Sequence, residues 1–225
     1  MRSRRDARRA PRDAPAPVGE EPVGARCTRL WRSLVMFAAF CLASSGTYFW
    51  NDILDIEADR AHPRKRLRPI ASGAIPLPQA RILGTALLAA GLALSAAVLH
   101  WRAMVVVAVY VALTVLYSVV LRRFAVLDIV AVASGFVLRA IGGAVGTDVP
   151  MSKWFLLCTM FGSLFVVTGK RYAEMQELGD DAHGVRRALD TYTVPYLRLV
   201  LTVACGSTLL AYCVWAFERG SADPG

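Results

Sequence analysis

Histidine and cysteine, the usual ligands of protein-bound zinc, are scarce in this 225-residue chain. Three histidines, His62, His100 and His183, lie far apart, and five cysteines show no metal-ligand spacing. These absences exclude a zinc centre of the common kinds. The chain also lacks a Walker loop, a glycine-rich dinucleotide turn and a Ser-His-Asp order. Enzyme classes built on those motifs are excluded with them.

Acidic residues are outnumbered, since 26 Lys and Arg stand against 17 Asp and Glu, for a net charge of +9. No basic–aromatic motif of a nucleic-acid-binding module accompanies this excess, so nucleic acid is not an expected partner. The basic residues lie in loops between long apolar runs. Anionic lipid headgroups, phosphate-bearing substrates and the positive-inside bias of membrane proteins explain them better.

Long apolar runs are the main feature of the chain. Hydrophobic residues make up 56% of it, compared with about 45–50% in a typical soluble domain. The runs are long enough, with small adjustments, for helices that cross a bilayer. The expected fold class is therefore all-α, a polytopic transmembrane helical bundle. We expect about six spans, at residues 34–50, 80–99, 103–120, 124–146, 154–169 and 196–217.

The loops divide the basic residues unequally between the two membrane faces. Six spans place residues 51–81, 121–124 and 170–195 on one face, and with Arg198 these segments hold thirteen Lys and Arg. The turns of the opposite face and the C-terminal tail hold three. The positive-inside rule predicts that the three basic loops are cytoplasmic in a plasma-membrane protein. The Arg-rich residues 1–26, expected to be disordered, would then lie outside, against the rule.

An acidic motif closes the first apolar run. Asn51 is followed by Asp52, Asp55 and Asp59, and steps of three and four residues place the carboxylates within about 60° of arc on one helix face. Like charges this close repel each other. Mg²⁺ relieves the repulsion, because it takes oxygen ligands and usually sits between carboxylates and a substrate phosphate. The motif predicts a Mg²⁺–diphosphate site at the mouth of a membrane helix; the alternative is a solvated helix end.

A second polar face follows the fifth span. Lys170, Glu174, Glu177 and Asp181 are spaced four, three and four residues apart, so on a helix they share one face, on the same side as the acidic motif. Two acidic clusters flanked by Lys and Arg fit a phosphorylated substrate held between metal ions and cations. The alternative is a surface helix with internal Lys–Glu pairs.

Basic side chains are the candidate phosphate-binding groups, although ordinary positive-inside charge explains the loop residues equally well. Arg139 lies inside the fourth span, where a cation usually faces a polar cavity or a partner. Asp128, at the start of that span, is expected to pair with a basic residue or to lie in the interface. Tyr192 is as consistent with an interfacial anchor as with a ligand. The candidates in the basic loops are Lys65, Arg66, Arg68, Lys170 and Arg171.

The Asn-Asp-x-x-Asp-x-x-x-Asp pattern on a membrane helix resembles the UbiA superfamily of intramembrane prenyltransferases. The likeness extends to the branch that transfers phosphoribosyl groups to polyprenyl phosphates. The segments that carry it are residues 51–73 (NDILDIEADRAHPRKRLRPIASG), 136–143 (FVLRAIGG), 152–156 (SKWFL), 168–174 (TGKRYAE) and 189–197 (LDTYTVPYL). Aromatic-acceptor members typically carry a second Asp-rich motif where this chain has Lys-Arg-Tyr-Ala-Glu.

The resemblance implies transfer of a 5-phosphoribosyl group from phosphoribosyl diphosphate to a polyprenyl phosphate such as decaprenyl phosphate, a step toward cell-wall arabinan. It implies that Asp52, Asp55 and Asp59 bind Mg²⁺ on the diphosphate, with Asn51 assisting. On chemical grounds, a nearby carboxylate such as Glu174 would stabilise positive charge that develops at the ribose C1.

The resemblance also implies a UbiA-like domain over residues 27–219, followed by a tail at 220–225, in a bundle whose family pattern has nine helices. Members of the family begin with an extra helix that carries an Arg-Pro-x-Gln-Trp-x-Lys-Asn-like motif, and they end with two further helices. The six expected spans correspond to the helices between these. An additional first helix would return the N-terminus to the cytoplasm, as the charge distribution requires.

Two other functions stay open at this point. A UbiA-type prenyltransferase would hold a prenyl diphosphate on the same acidic motif, but its neutral aromatic acceptor needs no second phosphate clamp such as Lys170 and Arg171. A transporter or a non-catalytic membrane subunit would use the acidic face for a cation alone. The oligomeric state, a homo-oligomer included, is not determined by the sequence.

Overall fold

The computed structural model describes residues 23–178 and 192–221, and every regular element in these ranges is helical. Six long helices lie at the six predicted positions, and one short helix follows the first of them. The prediction of an all-α helical bundle is thereby confirmed. The helices are α1 Val23–Leu54, α2 Ile56–Ala61, α3 Leu77–Leu94 (continued by a π-helical turn, Ser95–Leu99), α4 Trp101–Val119, α5 Ala125–Thr147, α6 Lys153–Leu178 and α7 Val194–Ser221.

Five of the six long helices are long and apolar enough, by length and composition, to cross a membrane. The multi-pass membrane architecture is therefore confirmed. The helix that does not meet this criterion is α6. Its apolar stretch, 154–169, is short, because Lys153 precedes it and Lys170 and Arg171 follow it.

The first helix begins earlier than predicted. Disorder was expected through residue 26, whereas α1 begins at Val23, directly after Pro22. No proline interrupts residues 23–33, so nothing in this segment breaks the helix before the apolar run. Residues 1–22 lie outside the described part of the chain, as do residues 222–225 of the expected tail.

Small residues allow α1 to pack closely against α3 and α5. A Cβ atom added at Gly46 of α1 would lie 2.7 Å from the side chain of Leu88 on α3, and one added at Gly142 of α5 would lie 2.5 Å from the ring of Phe40. Close backbone approach of this kind is a main source of helix association in lipid. The neighbouring Gly143, by contrast, faces open space.

The segment between α1 and α3, the α4–α5 turn and the C-terminal part of α6 meet at one end of the bundle. Arg122, in the α4–α5 turn, contacts Asp55 after α1, and Arg171, near the end of α6, contacts Asp128, near the start of α5. These contacts place the α4–α5 turn beside the acidic motif and the end of α6 beside the start of α5, as the six-span topology predicts. Assignment of this end to the cytoplasm stays a prediction.

A small charged cluster ties helices together at the opposite end. Asp148 ends α5 in the left-handed conformation, with φ of 54°. Its carboxylate accepts a hydrogen bond from Arg32 of α1 and lies 3.3 Å from Nε2 of His100, which precedes α4. The hydrogen bond from Arg32 holds the pKa of Asp148 below its ordinary value. The cluster joins α1, α4 and α5 at the end remote from the acidic motif.

Candidate active site

The acidic motif lies where α1 ends and α2 begins. Helix α1 stops at Leu54, and Asp55, with φ of −99° and ψ of 7°, precedes α2. The backbone stays close to helical, because Asp55 N donates to the carbonyl of Asn51 at 3.0 Å and Asp59 N donates to that of Asp55 at 2.8 Å. The predicted helical continuation through the motif is thus interrupted at a single residue.

One arginine bridges two of the three carboxylates. Arg68 Nη1 donates to Asp52 Oδ1 at 2.8 Å and to Asp59 Oδ2 at 2.9 Å. Asp59 is buried and Asp52 is partly exposed. Two carboxylate oxygens therefore lie within hydrogen-bonding distance of one nitrogen atom. Arg68, predicted to bind a substrate phosphate, is in this structure the counter-ion of the motif.

A second arginine, which the sequence did not single out, holds Asp55. Arg122 Nη1 and Nη2 donate to Asp55 Oδ2 and Oδ1 at 2.5 and 2.6 Å, the paired geometry that guanidinium and carboxylate groups favour. The hydrogen bond with Asp55 raises the pKa of Arg122 above its ordinary value. Sequence reasoning missed this residue because 67 positions separate the partners and because Arg122 resembles ordinary positive-inside charge.

The donor set of the motif fits Mg²⁺ in its chemistry, since three carboxylates and the amide of Asn51 supply only oxygen ligands. The Arg68 nitrogen occupies the position from which a cation would contact both Asp52 and Asp59. Within residues 23–178 and 192–221, no three acidic, His or Cys side chains are gathered as a ready metal-binding group. A divalent cation that binds here would therefore compete with the two arginines for these carboxylates.

A cavity of about 370 Å³ lies beside the motif, between α1, α4, α5 and α6. We call it the polar cavity. Asn51 contributes to its lining from the motif, and hydroxyl groups such as those of Tyr110 and Tyr117 contribute from α4. Among the described residues that line it, none is acidic and three are cationic: Arg139, Lys170 and Arg171. The composition of this lining is suited to an anion.

Arg139 lies deep in the polar cavity. Its Nη2 donates to Tyr110 Oη at 2.7 Å and to Ser44 Oγ at 3.3 Å, and the guanidinium lies over the Tyr110 ring at 4.9 Å from its centre. Ser44 precedes Asp52 by about two helical turns, or about 12 Å along α1. In the described part of the chain, no carboxylate pairs with Arg139. A cation at such depth is costly unless a polar cavity or an anion compensates it.

Lys170 and Arg171 are adjacent on α6 but differ in their surroundings. Lys170 is exposed and has no acidic partner within the described ranges. Arg171 is buried and donates to Asp128 at 2.6 and 3.1 Å and to Glu174 at 2.9 Å, while Tyr117 Oη donates to Asp128 at 2.9 Å. Asp128 is therefore paired with a basic residue, one of the two expectations for it. The donors of Arg171 are committed to this buried network.

Four further predicted site residues belong neither to the acidic motif with Arg68 nor to the lining of the polar cavity. The carboxylate of Glu174 is bonded to Arg171. Lys65 and Arg66 are exposed in a short 3-10 turn between α2 and α3. Tyr192 is buried, its hydroxyl donates to the carbonyl of Ala125, and burial raises the pKa of its phenol.

The expected second acidic face is described only in part. Helix α6 continues to Leu178, so Lys170 and Glu174 do lie on one helix as predicted. The side chain of Glu177 and the whole of Asp181 lie outside the described residues.

A second opening, of about 320 Å³, adjoins the polar cavity between α1, α3 and α4. We call it the apolar groove. It shares Thr47, Asn51 and Ser118 with the polar cavity, so the two spaces meet beside the motif. The remainder of its lining is mainly apolar, which suits a hydrocarbon chain. These residues are Trp50, Leu54, Thr85, Leu88 and Val115.

The chain is similar in sequence to proteins named decaprenyl-phosphate phosphoribosyltransferase. It is 46% identical over 192 residues to that of Mycolicibacterium smegmatis, 44% over 183 to that of Mycobacterium tuberculosis and 41% over 194 to that of Corynebacterium glutamicum. The alignments cover 84%, 81% and 85% of this chain and 59%, 60% and 58% of the respective relatives. The chain thus spans about three fifths of the length of these relatives.

A family model described as the UbiA prenyltransferase family matches residues 24–222. The match includes the acidic motif and all the helices that line the polar cavity and the apolar groove. It covers most of the chain, and it agrees with the relatives and with the helical membrane fold. The chain belongs to the UbiA prenyltransferase family.

Proposed function

We propose that this chain carries the active-site helices of a transferase that moves a 5-phosphoribosyl group from phosphoribosyl diphosphate to a polyprenyl phosphate. The shared name of its relatives, decaprenyl-phosphate phosphoribosyltransferase, supports this reaction. Because the chain spans about three fifths of their length, its activity, substrates and partners are all part of the proposal.

The observation that carries the proposal is the pair of cations in the polar cavity. Arg139 and Lys170 line the cavity, and neither has a carboxylate partner within the described ranges. Besides the diphosphate, the proposed reaction brings two further anions, the 5-phosphate of the donor and the phosphate of the acceptor. Two available cations beside the acidic motif match this requirement, because phosphate groups need charge-assisted hydrogen bonds once they leave water.

The acidic motif would bind the diphosphate end of the donor. Asp52, Asp55 and Asp59 would hold Mg²⁺, with the amide of Asn51 orienting the donor from the rim of the polar cavity. A bound Mg²⁺ would neutralise charge on the departing pyrophosphate. Arg68 adds a guanidinium that can bind two phosphate oxygens at once.

The acceptor would enter from the lipid. Its polyprenyl chain would lie in the apolar groove, and its phosphate would reach the polar cavity beside Asn51, where the two spaces meet. An ionised phosphate attacks the ribose C1 without a general base, so the chemistry needs no additional proton acceptor. Glu174 is bonded to Arg171 and does not line the cavity, which supports a positioning role for it rather than contact with C1.

The proposed location follows from the different solubilities of the two substrates. The water-soluble donor would reach the motif from the cytoplasm, and the lipid acceptor would reach it from the plasma membrane. The product, a lipid-linked phosphoribose, would serve the synthesis of cell-wall arabinan.

The rival reaction, transfer of a prenyl group to a neutral aromatic acceptor, would bring no second phosphate to the cavity. Arg139 and Lys170 would then face a neutral ring, without a charge to balance them. The cation-lined cavity therefore favours phosphoribosyl transfer over this reaction.

Transfer of isotope from labelled phosphoribosyl diphosphate into a lipid fraction tests the proposal directly. The purified chain is incubated with Mg²⁺ and decaprenyl phosphate, and matched reactions omit the lipid or chelate the metal. We expect label in the lipid phase only in the complete reaction, and no transfer by an Asp55→Asn variant that still inserts in the membrane. Label that stays aqueous with correctly inserted protein, or transfer that survives Asp55→Asn, would reject the proposal.

A further inference from the structure

Arg122 connects the acidic motif to a part of the chain that is remote in sequence. It lies in a short 3-10 turn, Leu121–Arg123, between α4 and α5, and both terminal nitrogens of its guanidinium bind the two oxygens of Asp55. The side chain of Arg122 is 33% exposed and that of Asp55 is 19% exposed. The pair therefore lies at the edge of the site, where the guanidinium has room to turn.

A divalent cation on Asp55 would compete with Arg122. The guanidinium fork holds both carboxylate oxygens, so a metal ion at either oxygen would share that oxygen with a positively charged hydrogen-bond donor. The positive charge of Arg122 also repels a cation at close range. The same fork matches the oxygens of a phosphate as well as those of a carboxylate, so a diphosphate placed at the motif offers Arg122 an equivalent partner.

We propose that Arg122 is an exchangeable counter-ion, which neutralises Asp55 in the absence of a divalent cation and transfers its guanidinium to the diphosphate of the donor when both are present. This inference rests on the proposed metal–diphosphate site. Arg122 would thereby hold the motif together between turnovers and bind the substrate during them.

Exchange and simple support predict opposite effects of removing the guanidinium. If Arg122 exchanges, Arg122→Gln removes a competitor, so a divalent cation alone binds Asp55 more tightly, while the donor binds more weakly. If Arg122 only supports the fold, the same change leaves cation affinity unaltered or lowers it, because the carboxylate loses its position. Arg123→Gln is the matched control, since Arg123 is the exposed next residue of the same turn and its loss changes net charge equally.

Mn²⁺ titrations followed by electron paramagnetic resonance measure cation binding without turnover. The full chain in detergent is compared with Arg122→Gln, Arg123→Gln and Asp55→Asn. Opposite charges in contact shift ionisation equilibria by about tenfold or more, so we expect Arg122→Gln to tighten Mn²⁺ binding about tenfold. We expect Arg123→Gln to match the unaltered protein and Asp55→Asn to weaken binding. In the presence of phosphoribosyl diphosphate, the affinity of Arg122→Gln for this donor should fall about tenfold or more.

The outcomes separate this inference from the proposed function. If Mn²⁺ binds and Asp55→Asn weakens it, but Arg122→Gln and Arg123→Gln behave alike, the exchange is refuted and the metal site stands. If the unaltered chain shows no site that depends on Asp55, the metal site itself is refuted. Should Arg122→Gln fold poorly, Arg122→Lys keeps the charge without the fork. Exchange predicts that it binds Mn²⁺ no more tightly than the unaltered chain but binds the donor more weakly, and unchanged donor affinity would refute it.

Discussion

The buried pair of Arg171 and Asp128 provides a direct test of what Arg171 does. The sequence suggests that Arg171 binds a substrate phosphate, whereas the structure commits its donors to Asp128 and Glu174. The side chains of Arg171 and Asp128 are 5% and 0% exposed, so solvent does not screen their interaction. We therefore expect their loss to affect the stability of the bundle first and substrate binding only as a consequence.

The two single substitutions should differ in size. Removing one partner of a buried ion pair costs about 3–5 kcal/mol, because the other charge is left uncompensated. Asp128→Asn leaves Arg171 with Glu174, so we expect the lower end, about 3 kcal/mol. Arg171→Met leaves a fully buried carboxylate with the hydroxyl of Tyr117, so we expect the upper end, about 5 kcal/mol.

Thermal unfolding in detergent, followed by tryptophan fluorescence, measures these effects. In a chain of this size, 1 kcal/mol corresponds to about 2–4 °C in the midpoint. We expect Asp128→Asn to lower the midpoint by about 6–12 °C and Arg171→Met to lower it by about 10–20 °C. The double variant, Asp128→Leu with Arg171→Met, should recover part of the loss, because it buries apolar groups in place of an unpaired charge.

Lys170→Met is the matched control for the same helix turn. Lys170 is exposed and lines the polar cavity, so we expect an unchanged midpoint and a weaker affinity for the donor or the acceptor. The reasoning is refuted if Arg171→Met keeps the midpoint of the unaltered protein while it loses affinity for substrate. That result would make Arg171 a ligand of the substrate rather than a support of the fold.

Three further substitutions test other parts of the molecule. Arg139→Met should weaken binding of a phosphate-bearing substrate about 10- to 100-fold without lowering the thermal midpoint, and Tyr110→Phe, which removes one hydroxyl, should have a smaller effect. Val115→Trp should fill the apolar groove and raise KM for the polyprenyl phosphate, with KM for the donor unchanged. The hydrogen bond with Arg32 lowers the pKa of Asp148 in the folded protein. At pH values above the ordinary carboxyl pKa of about 4, the contact therefore stabilises the folded protein in full. This stabilisation is lost as the pH falls through the lowered pKa. The difference in midpoint between the unaltered chain and Asp148→Asn should therefore shrink between pH 7 and pH 3.

The positions of the long helices could be predicted from the sequence because each follows from a local pattern. Where Pro, Gly or charged residues bound an apolar run, they mark the ends of the helix, as Pro76 does before α3. The proximity of Asp52 and Asp59, which share Arg68, follows equally from near-helical periodicity over a few residues. The start of α1 was misjudged because Arg and Ala form helices readily even where no apolar periodicity marks them.

Contacts between distant segments could not be predicted in the same way. Nothing near Arg122 in the sequence indicates that it binds Asp55, because a basic pair at a membrane boundary has a sufficient explanation in topology alone. Arg171 and Lys170 are neighbours of the same charge, and only packing against α5 makes Arg171 the buried residue and leaves Lys170 exposed. Likewise, the hydroxyl of Tyr192 is directed to the carbonyl of Ala125 by tertiary packing.

The arrangement of charges explains why permanently charged arginines, rather than a residue such as histidine, suit the acidic motif. Three carboxylates at the edge of a low-dielectric bundle repel one another strongly when no cation is bound, so internal counter-ions stabilise the motif in that state. Arg68 and Arg122 meet this need. Arginine stays protonated at any physiological pH, so the counter-ions of the motif are not lost by deprotonation. If the guanidinium groups pass from carboxylate to diphosphate as the substrate binds, each charge keeps a partner before and after. The two arginines then offset two of the three carboxylate charges before the substrate binds, and a bound divalent cation would take over this role afterwards.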